Sequence, residues 1–390
     1  MPNEFWIAGA GSGKTQKVIE DAIEVLKAGG RVLVVTYTMN NQAELRSRFV
    51  ELYGKHSDDF VVKGLFSFYL EDLVRPYQTA MFPDRITSTM FTEHNPHLIP
   101  GTRKWYPKRG EKINGVLNPL HYLTPCKSKA YTGLLAKLAT RISALTKNAP
   151  ANRLKEIYQR IFFDEVQDLV GWDFDVIKAL SKAMHGSICC VGDFRQTIYT
   201  TTFGHKAPET PEQKIQYFKD LNFSPFSLAK NRRCIQEICD LSDTIHPGIY
   251  EQTQSAVGEI PSEMVHHCGG FLIKPSQVND YLDMFKPQVL RWSSPMGKDY
   301  LPPNLTCHTF GSCKGLGFDR VLIISPEKHL KYLGGDLSVF DKDKTEESRN
   351  KLYVAITRAR YSLAFVVEEE HLTNIKLPHW VKPVQVDANG

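Results

Sequence analysis

A glycine-rich loop between an apolar segment and an amphipathic segment constrains this chain more than any other feature of its 390 residues. The loop and its flanks read Ile7-Ala8-Gly9-Ala10-Gly11-Ser12-Gly13-Lys14-Thr15. The residues before it (Phe5, Trp6, Ile7) are typical of a short buried strand, and those after it recur at helical spacing (Val18, Ile19, Ala22, Ile23, Leu26). A strand, a glycine loop and a helix in this order are the context of a phosphate-binding loop.

The residue types of this loop predict a site for a nucleoside triphosphate with Mg²⁺. Glycines let the backbone approach phosphate oxygens, and the backbone N–H groups of Ala8 to Gly13 and the helix N-terminus point at the anion. Lys14 would neutralise the β- and γ-phosphates, and the Thr15 hydroxyl would hold Mg²⁺. Ala8 stands where the strict pattern has glycine. The alternative is a chance glycine turn before a helix.

Composition places the chain among globular proteins and excludes a membrane-spanning one. Its hydrophobic fraction is 42%, its charged fraction 23% and its net charge +5, which permits binding to a polyanion without demonstrating it. The sequence has no run of about 18 apolar residues and leaves no space for a signal peptide, so we expect a cytoplasmic location. Eight cysteines without a C-x-x-C pair predict reduced, mostly buried thiols; a metal site from Cys234, Cys239 and residues 266–268 is the weaker alternative.

The order of apolar runs predicts an α/β fold with parallel sheets. Strand-length runs at 31–36 and 60–62, within 160–168 and at 187–191 alternate with helical patterns, as in sheets connected by crossover helices. We expect a first domain from residues 1–80 and 151–220, a small inserted, mainly helical subdomain at 81–150, and a second domain at 221–390.

The expected insert mixes basic and aromatic residues, among them Lys104, Trp105, Tyr106 and Lys108. Such a mixture suits a surface that contacts single-stranded nucleic acid, because bases stack on aromatic rings and cations hold phosphates. A solvated face over a small aromatic core explains the same composition equally well.

Carboxylates follow two of the predicted strands. Residues 160–168 contain a buried strand that ends in carboxylates, of which Asp164 would anchor Mg²⁺ and Glu165 would polarise the attacking water. A further strand runs into Gly192-Asp193-Phe194-Arg195-Gln196, which puts polar groups at the carboxyl edge of the sheet, where α/β proteins bind ligands.

Taken together in order, these segments resemble the core of superfamily 1 helicases, specifically the UvrD/Rep-like branch. Asp164-Glu165-Val166-Gln167-Asp168 is similar to the DExQD box of that family, and residues 192–199 to its GDxxQ-x-IY motif. The other matching segments are residues 8–15, 35–48, 66–69, 231–233, 309–319 and 353–360. Several motifs in the right order make the resemblance specific.

The resemblance implies two RecA-like domains with an ATP cleft between them and movement on single-stranded or partially duplex DNA, 3′-to-5′. It implies catalytic roles for Lys14, Glu165, Gln196, Arg233 and Arg358, metal binding by Thr15 and Asp164, and nucleotide contact by Gly315 in addition to residues 8–15. It further implies DNA contacts from Thr36, Tyr37, Thr38, Phe66, Ser67, Tyr199 and Thr309.

The chain also departs from the family pattern. Only seven residues precede Ala8, so an upstream adenine-contacting glutamine is missing from this sequence. Gly311 and Gly317 stand where the family has a histidine and a glutamate, which weakens the expected contacts with DNA and ribose. About 70 residues separate Arg233 from Thr309, too few for the second accessory domain of full-length relatives.

Two functions remain open at this point. The first is an ATP-dependent single-stranded DNA translocase or DNA helicase. The alternative is a DNA-sensing ATPase subunit that gates a partner such as a nuclease in a bacterial antiviral defence or repair system, with little unwinding of its own. An inactive scaffold is disfavoured because the predicted catalytic residues are all present.

Overall fold

A computed structural model describes residues 2–92, 94–102, 104–198, 206–248, 250–343 and 345–383. The chain divides into two compact units. The first unit consists of Met1–Ala8, Lys14–Phe194 and Tyr199–Ser227, and the second of Gly9–Gly13, Arg195–Ile198 and Leu228–Gly390. Within the described ranges, no helix is both long and apolar enough to cross a membrane.

The first unit is built on a six-stranded sheet. Its strands are β1 (Glu4–Ala8), β2 (Val32–Thr36), β3 (Phe60–Gly64), β8 (Arg160–Asp164), β9 (Ile188–Gly192) and β10 (Ser224–Leu228), and short strands β4 (Ser88–Met90), β5 (Lys112–Ile113), β6 (Val116–Leu117) and β7 (Lys129–Tyr131) lie outside this sheet. The strand order is β10-β1-β9-β8-β2-β3. The pairs β1·β9, β9·β8, β8·β2 and β2·β3 are all parallel, which confirms the predicted sheet.

Eight α-helices accompany this sheet among the described residues of the unit. They are α1 (Lys14–Lys27), α2 (Met39–Tyr53), α3 (Leu65–Phe68), α4 (Pro119–Tyr122), α5 (Leu135–Leu145), α6 (Ala149–Ile157), α7 (Trp172–Ala183) and α8 (Pro211–Asp220). Every residue of β2 and of β9 is buried, as expected for apolar strands covered on both faces. Because parallel strands run in one direction, the carboxyl ends of β1, β9, β8 and β2 share one edge of the sheet.

Residues 81–150 lie within the first unit, but they are not mainly helical as the sequence predicts. Their longest helix is α5, whose apolar side is buried, and the described part of the segment before it contains loops, the four-residue helix α4 and two small strand pairs, β4·β7 and β5·β6. Prolines and glycines are frequent between residues 81 and 131, and both residue types disfavour helix interiors. The expectation of a mainly helical insert is therefore wrong, because the helical pattern covers only its C-terminal part.

The second unit has its own parallel sheet. Its strands and helices are β11 (Lys230–Asn231), α9 (Gln236–Asp243), β12 (Gln254–Ser255), β13 (Gly269–Ile273), α10 (Val278–Phe285), β14 (Gln288–Arg291), β15 (Cys307–Thr309), β16 (Phe318–Ile324), α11 (Glu327–Leu333), α12 (Glu347–Ile356) and β17 (Ala359–Val366). The order in the five-stranded sheet is β13-β17-β16-β14-β15, with every neighbouring pair parallel.

Hydrophobic cores lie on both faces of this second sheet. Alternate residues of β16 enter different cores, so Val321 and Ile323 pack on one side and Leu322 and Ile324 on the other. The stretch between Arg233 and Thr309 supplies α9, β13, α10 and β14 to this same unit. It is occupied by elements of the sheet domain itself.

Candidate functional site

The glycine loop joins β1 to α1, so the predicted strand, loop and helix are confirmed as local structure. β1 ends at Ala8 and the 14-residue helix α1 begins at Lys14, with Thr15 in its first turn. Gly11 and Gly13 have φ values of +68° and +85°, which residues other than glycine rarely adopt. A Cβ on Gly11 would lie 2.5 Å from Asn231 Oδ1, so this position accepts no side chain.

Residues 9–13 belong to the second unit and contact other residues of it. The amide of Ala10 donates to Tyr353 Oη (3.1 Å), and Gly11 O accepts from the amide of Arg232 (2.8 Å). The Ser12 hydroxyl is buried and has no hydrogen-bond partner among the described residues. A polar ligand at this loop would satisfy that hydroxyl. No local sequence pattern predicts that Tyr353 lies beside the loop.

In the first unit, Asp164 lies at the carboxyl edge of the sheet beside Thr36. These residues end the neighbouring strands β8 and β2, and the Thr36 hydroxyl donates to Asp164 Oδ2 (3.3 Å). Asp164 is 6% exposed, and its Oδ1 has no hydrogen-bond partner in the described part of the chain. Burial and the neighbouring charge of Glu165 raise the pKa of Asp164 to about 7, against a lowering by Lys14. A cation here would keep this carboxylate ionised.

Two observations therefore fit the expected Mg²⁺ and phosphate. The first is the buried Asp164 Oδ1, an oxygen ligand of the kind that Mg²⁺ prefers, without a hydrogen-bond partner among the described residues. The second is the loop at the N-terminus of α1, where Gly11 is too confined for a Cβ. Thr15 and Asp164 both belong to the first unit.

Glu165 follows β8 in the left-handed backbone region, with a φ of 59°. This conformation is uncommon for a residue other than glycine and is held by its surroundings. The Gln167 side-chain amide donates to the Glu165 carboxylate, and Gln167 Oε1 accepts from the amide of Asp193 (3.0 Å). Gln167 thereby ties the end of β8 to the end of β9, a role that the sequence motif did not indicate.

Three of the predicted catalytic residues lie together in the second unit. Arg358 Nη2 is 3.5 Å from Gln196 Oε1, and its Nε and Nη1 donate to Val354 O and Leu316 O, both at 2.9 Å. Arg233 Nη1 donates to Thr357 O (3.4 Å), the residue before Arg358.

Arg358 is only 1% exposed and has no ion-pair partner among the described residues. Its hydrogen bonds go to neutral oxygens of Val354, Leu316, Thr357 and Gln196. A buried guanidinium held by neutral acceptors keeps its capacity to stabilise an anion.

The expected motif around Thr309 and Gly315 forms a turn between β15 and β16. Thr309 ends β15, and its hydroxyl and that of Ser312 are 3.1 Å apart. Gly315 has a φ of +89°, which explains glycine at this position. A Cβ on Gly317 would meet Arg233 Nε at 3.4 Å, whereas one on Gly311 would meet nothing within 4 Å.

The residues expected to contact DNA in the first unit divide into accessible and buried ones. Tyr37 and Phe66 are half-buried and form an edge-to-face pair with ring centroids 5.9 Å apart, and Ser67 beside them is exposed. Thr38 accepts from the amide of Asn41 (3.1 Å) as the N-cap of α2. Thr36 is buried against Asp164, so its side chain is inaccessible in this structure. Tyr199 lies outside the described residues.

Comparisons with known proteins match two family models. An AAA domain model matches residues 2–202, and a model of the UvrD-like helicase C-terminal domain matches residues 289–370. No curated protein sequence matches the chain.

Solved structures that match the chain include two viral helicases. The PRRSV helicase is 17% identical to this chain, with a TM-score of 0.42. The match covers 98% of this chain and 56% of the viral chain. Arterivirus nonstructural protein 10, a helicase solved in complex with DNA, is 15% identical to this chain, with a TM-score of 0.44. The match covers 96% of this chain and 63% of the viral chain. The chain therefore spans less than two thirds of the length of either viral chain.

Proposed function

This chain belongs to the UvrD-like helicases of superfamily 1, and from that membership we propose that it is an ATP-dependent translocase and helicase on single-stranded DNA. The observation that carries the proposal is the buried carboxylate of Asp164 at the carboxyl edge of the first sheet. It accepts a hydrogen bond from Thr36 and interacts with the charge of Lys14, the residue that follows the glycine loop. We further propose 3′-to-5′ movement, as the resemblance to the UvrD branch implies.

In this proposal, the loop binds the triphosphate. The amides of residues 8–13 and the N-terminus of α1 donate to phosphate oxygens, and the Lys14 ammonium balances the charge of the β- and γ-phosphates. Thr15 and Asp164 would hold Mg²⁺, which supplies charge neutralisation at the phosphate oxygens. Gly315 is proposed to contact the nucleotide through its backbone.

Glu165 is proposed to orient and polarise the water that attacks the γ-phosphate. A general base must be held in position, and the hydrogen bond from Gln167, itself anchored to the amide of Asp193, restricts the Glu165 side chain. Gln167 is then a positioning residue, since it acts through Glu165.

Arg233 and Arg358 are proposed to stabilise the charge on the transferring phosphoryl group, with Gln196 orienting the Arg358 guanidinium. This role suits Arg358 because burial without a carboxylate partner in the described residues leaves its charge available. The expected nucleotide cleft between two domains stays a prediction.

We propose that DNA contacts the aromatic pair Tyr37 and Phe66, together with Thr38, Ser67 and Thr309. Bases stack on aromatic rings without sequence preference, which suits a protein that moves along a strand. Conformational changes that accompany ATP hydrolysis at the nucleotide site would then be coupled to movement of the DNA strand relative to the protein. The family motifs also imply DNA contacts from Tyr199 and Thr36, but the Thr36 side chain is buried against Asp164 in this structure, so we do not propose it as a contact.

The first test is steady-state ATP hydrolysis with and without a single-stranded dT oligomer. We expect stimulation of about tenfold or more, which the Lys14→Ala variant abolishes because the phosphates lose their cation. Lys17→Ala is the matched control, because Lys17 is a second lysine of α1, three residues after Lys14, and forms an ion pair with Asp21.

Strand displacement on duplexes with a 3′ or a 5′ single-stranded tail then determines the polarity. ATP turnover that no single strand changes would contradict the proposal. That result would instead fit the partner-gated ATPase subunit.

A further inference from the structure

We propose that Trp105, in the insert of the first unit, is a base-stacking platform for single-stranded nucleic acid. The proposal rests on the proposed nucleic-acid function and adds a binding site outside the helicase motifs. Its basis is a column of stacked rings that ends in an accessible indole, in a segment whose neighbouring lysines in the sequence are exposed.

Three rings are stacked in this column. The His121 and His97 rings lie 4.4 Å apart at 15°, and the His97 and Trp105 rings lie 5.0 Å apart at 14°. His97 is buried, whereas Trp105 is 53% exposed despite this contact. The indole therefore ends the column, and a further planar ring can extend it with the same geometry.

Hydrogen bonds fix the column in the insert. Lys137 Nζ donates to His121 Nε2 (3.0 Å), so His121 Nδ1 carries the proton and donates to Arg109 O (2.9 Å). The amide of Tyr106 donates to His97 O (2.7 Å), which closes the loop that carries Trp105. Neither ring nitrogen of His97 has a hydrogen-bond partner in the described ranges, so this ring serves packing.

The surroundings of both imidazoles favour their neutral forms. Burial lowers the pKa of His97 to about 4, with a further lowering from His121, and burial also lowers the pKa of His121. Because these packed, neutral rings already hold the indole in place, the Trp105 side chain loses little conformational entropy when it binds a base.

Charge favours a nucleic acid as the occupant. Residues 81–150 contain eleven Lys and Arg against three Asp and Glu, an excess of eight positive charges in a chain whose net charge is +5. Lys104, Lys108 and Lys112 are exposed and have no ion-pair partner among the described residues. The carboxylate of Glu111 is already bound by Lys137 and Arg141.

A protein partner fits this surface less well. The centres of protein–protein interfaces are depleted in lysine, whereas single-strand sites combine lysines with exposed aromatic rings. The shared chemistry of the ligand is an unpaired base on a phosphate backbone, and DNA and RNA are two sources of it.

The test compares Trp105→Ala and Trp105→Phe with the wild-type chain in binding a labelled dT oligomer of about 20 nucleotides. We expect Trp105→Ala to weaken binding about five- to hundredfold, the range seen when a stacking ring is removed, and Trp105→Phe to keep most of the affinity. Basal ATP hydrolysis without DNA should not change. Val116→Ala is the matched control, because Val116 is 70% exposed on the β5·β6 hairpin of the same insert.

A fluorescence readout keeps the test independent of the alanine variant's folding. Base stacking on Trp105 should quench part of the wild-type tryptophan emission on dT binding, and Trp105→Phe should lose that part. An rU oligomer in parallel distinguishes RNA from DNA as the preferred strand.

Wild-type affinity in Trp105→Ala, or unchanged quenching in Trp105→Phe, would overturn the platform while leaving DNA-stimulated hydrolysis intact. Failure of the wild-type chain to bind or respond to any single strand would overturn the proposed function as well. Binding of a protein at Trp105 with no effect on oligomer affinity would also contradict the proposal.

Discussion

Glu165 has a backbone conformation that is uncommon for its residue type. Its φ is 59°, in the left-handed region, and the Gln167 side chain donates a hydrogen bond to its carboxylate. A side chain kept in an unfavourable conformation by its neighbours is typical of a residue used in chemistry.

We predict that Glu165→Gln preserves ATP binding but lowers hydrolysis by about two to three orders of magnitude, the usual contribution of a positioned base. Glutamine keeps the shape and still accepts a hydrogen bond, but it does not attract the proton of water. Binding of a fluorescent ATP analogue and single-turnover hydrolysis measure the two effects. Loss of binding together with hydrolysis would count against a role limited to the base.

The Arg358 side chain is buried and hydrogen-bonded to backbone oxygens, so its substitution affects packing as well as charge. Arg358→Lys should lower turnover more than it changes KM for ATP, since an ammonium does not reproduce the separate hydrogen bonds to Val354 O and Leu316 O. The thermal melting temperature of the variant reports the structural part of the effect. A change confined to KM would disprove a role in the chemical step.

At the scale of single residues, the sequence predicts which residues lie at a loop or a strand end better than it predicts their contacts. Asp164, Glu165 and Lys14 could be predicted because their positions follow from a strand end and a loop. The contacts of Tyr353 with Ala10 and of His97 with His121 and Trp105 join residues far apart in the chain, and no local pattern encodes such pairs.

Among the elements, the insert departs most from its prediction. Its main helix α5 is attached to the loop before β5 by Glu111. Arg141 Nε and Tyr122 Oη donate to Glu111 Oε1 (2.6 and 2.7 Å), and Lys137 Nζ lies 2.8 Å from Oε2. One carboxylate thus holds together a segment with little regular structure.

We predict that this contact makes the insert sensitive to acid. Burial raises the pKa of Glu111, but the hydrogen bonds from Arg141, Lys137 and Tyr122 outweigh it and lower the pKa to about 2. A carboxyl group with a lowered pKa stabilises the fold above its ordinary value of 4.5, and the contribution is lost as the pH falls from there toward 2.

Glu111→Gln should therefore lower the free energy of unfolding of the insert by about 1–3 kcal/mol at pH 7, with the difference from wild type shrinking below pH 4.5. Hydrogen exchange of α5 amides measures it. Asp84→Asn removes an exposed carboxylate of the same segment and should have no such effect. An equal difference at pH 3 and pH 7 would be inconsistent with this contact.

The alternation of strands and helices was predictable because buried parallel strands are continuous apolar runs, such as Val32–Thr36 and Ile188–Gly192. The insert was less predictable because its short strands, β4 to β7, contain only two or three residues each. Runs of that length carry no periodicity, and their pairing depends on tertiary contacts.

Considered as a whole, the molecule carries its positive charge unevenly. Outside residues 81–150, acidic residues outnumber basic ones, so polyanion binding should depend mainly on the insert. We predict that replacing Lys104, Lys108 and Lys112 together by alanine reduces the slope of log affinity against log salt concentration by about two for single-stranded DNA.

The matched control replaces Lys298, Lys342 and Lys376, three exposed lysines of the second unit, and should change the slope less. Oligomer titrations at several salt concentrations give both slopes. Equal slopes for the two triple variants would argue against the insert as the main electrostatic contact.

The first sheet places its earliest strand, β1, between β9 and β10. During synthesis, β1 therefore leaves the ribosome long before its neighbours, Ile188–Gly192 and Ser224–Leu228, have been made. At about 5–20 residues per second, this interval is on the order of ten to forty seconds. For that time an apolar strand has both edges unpaired, so we expect slow translation to lower the yield of folded protein and chaperones that cover β1 to raise it.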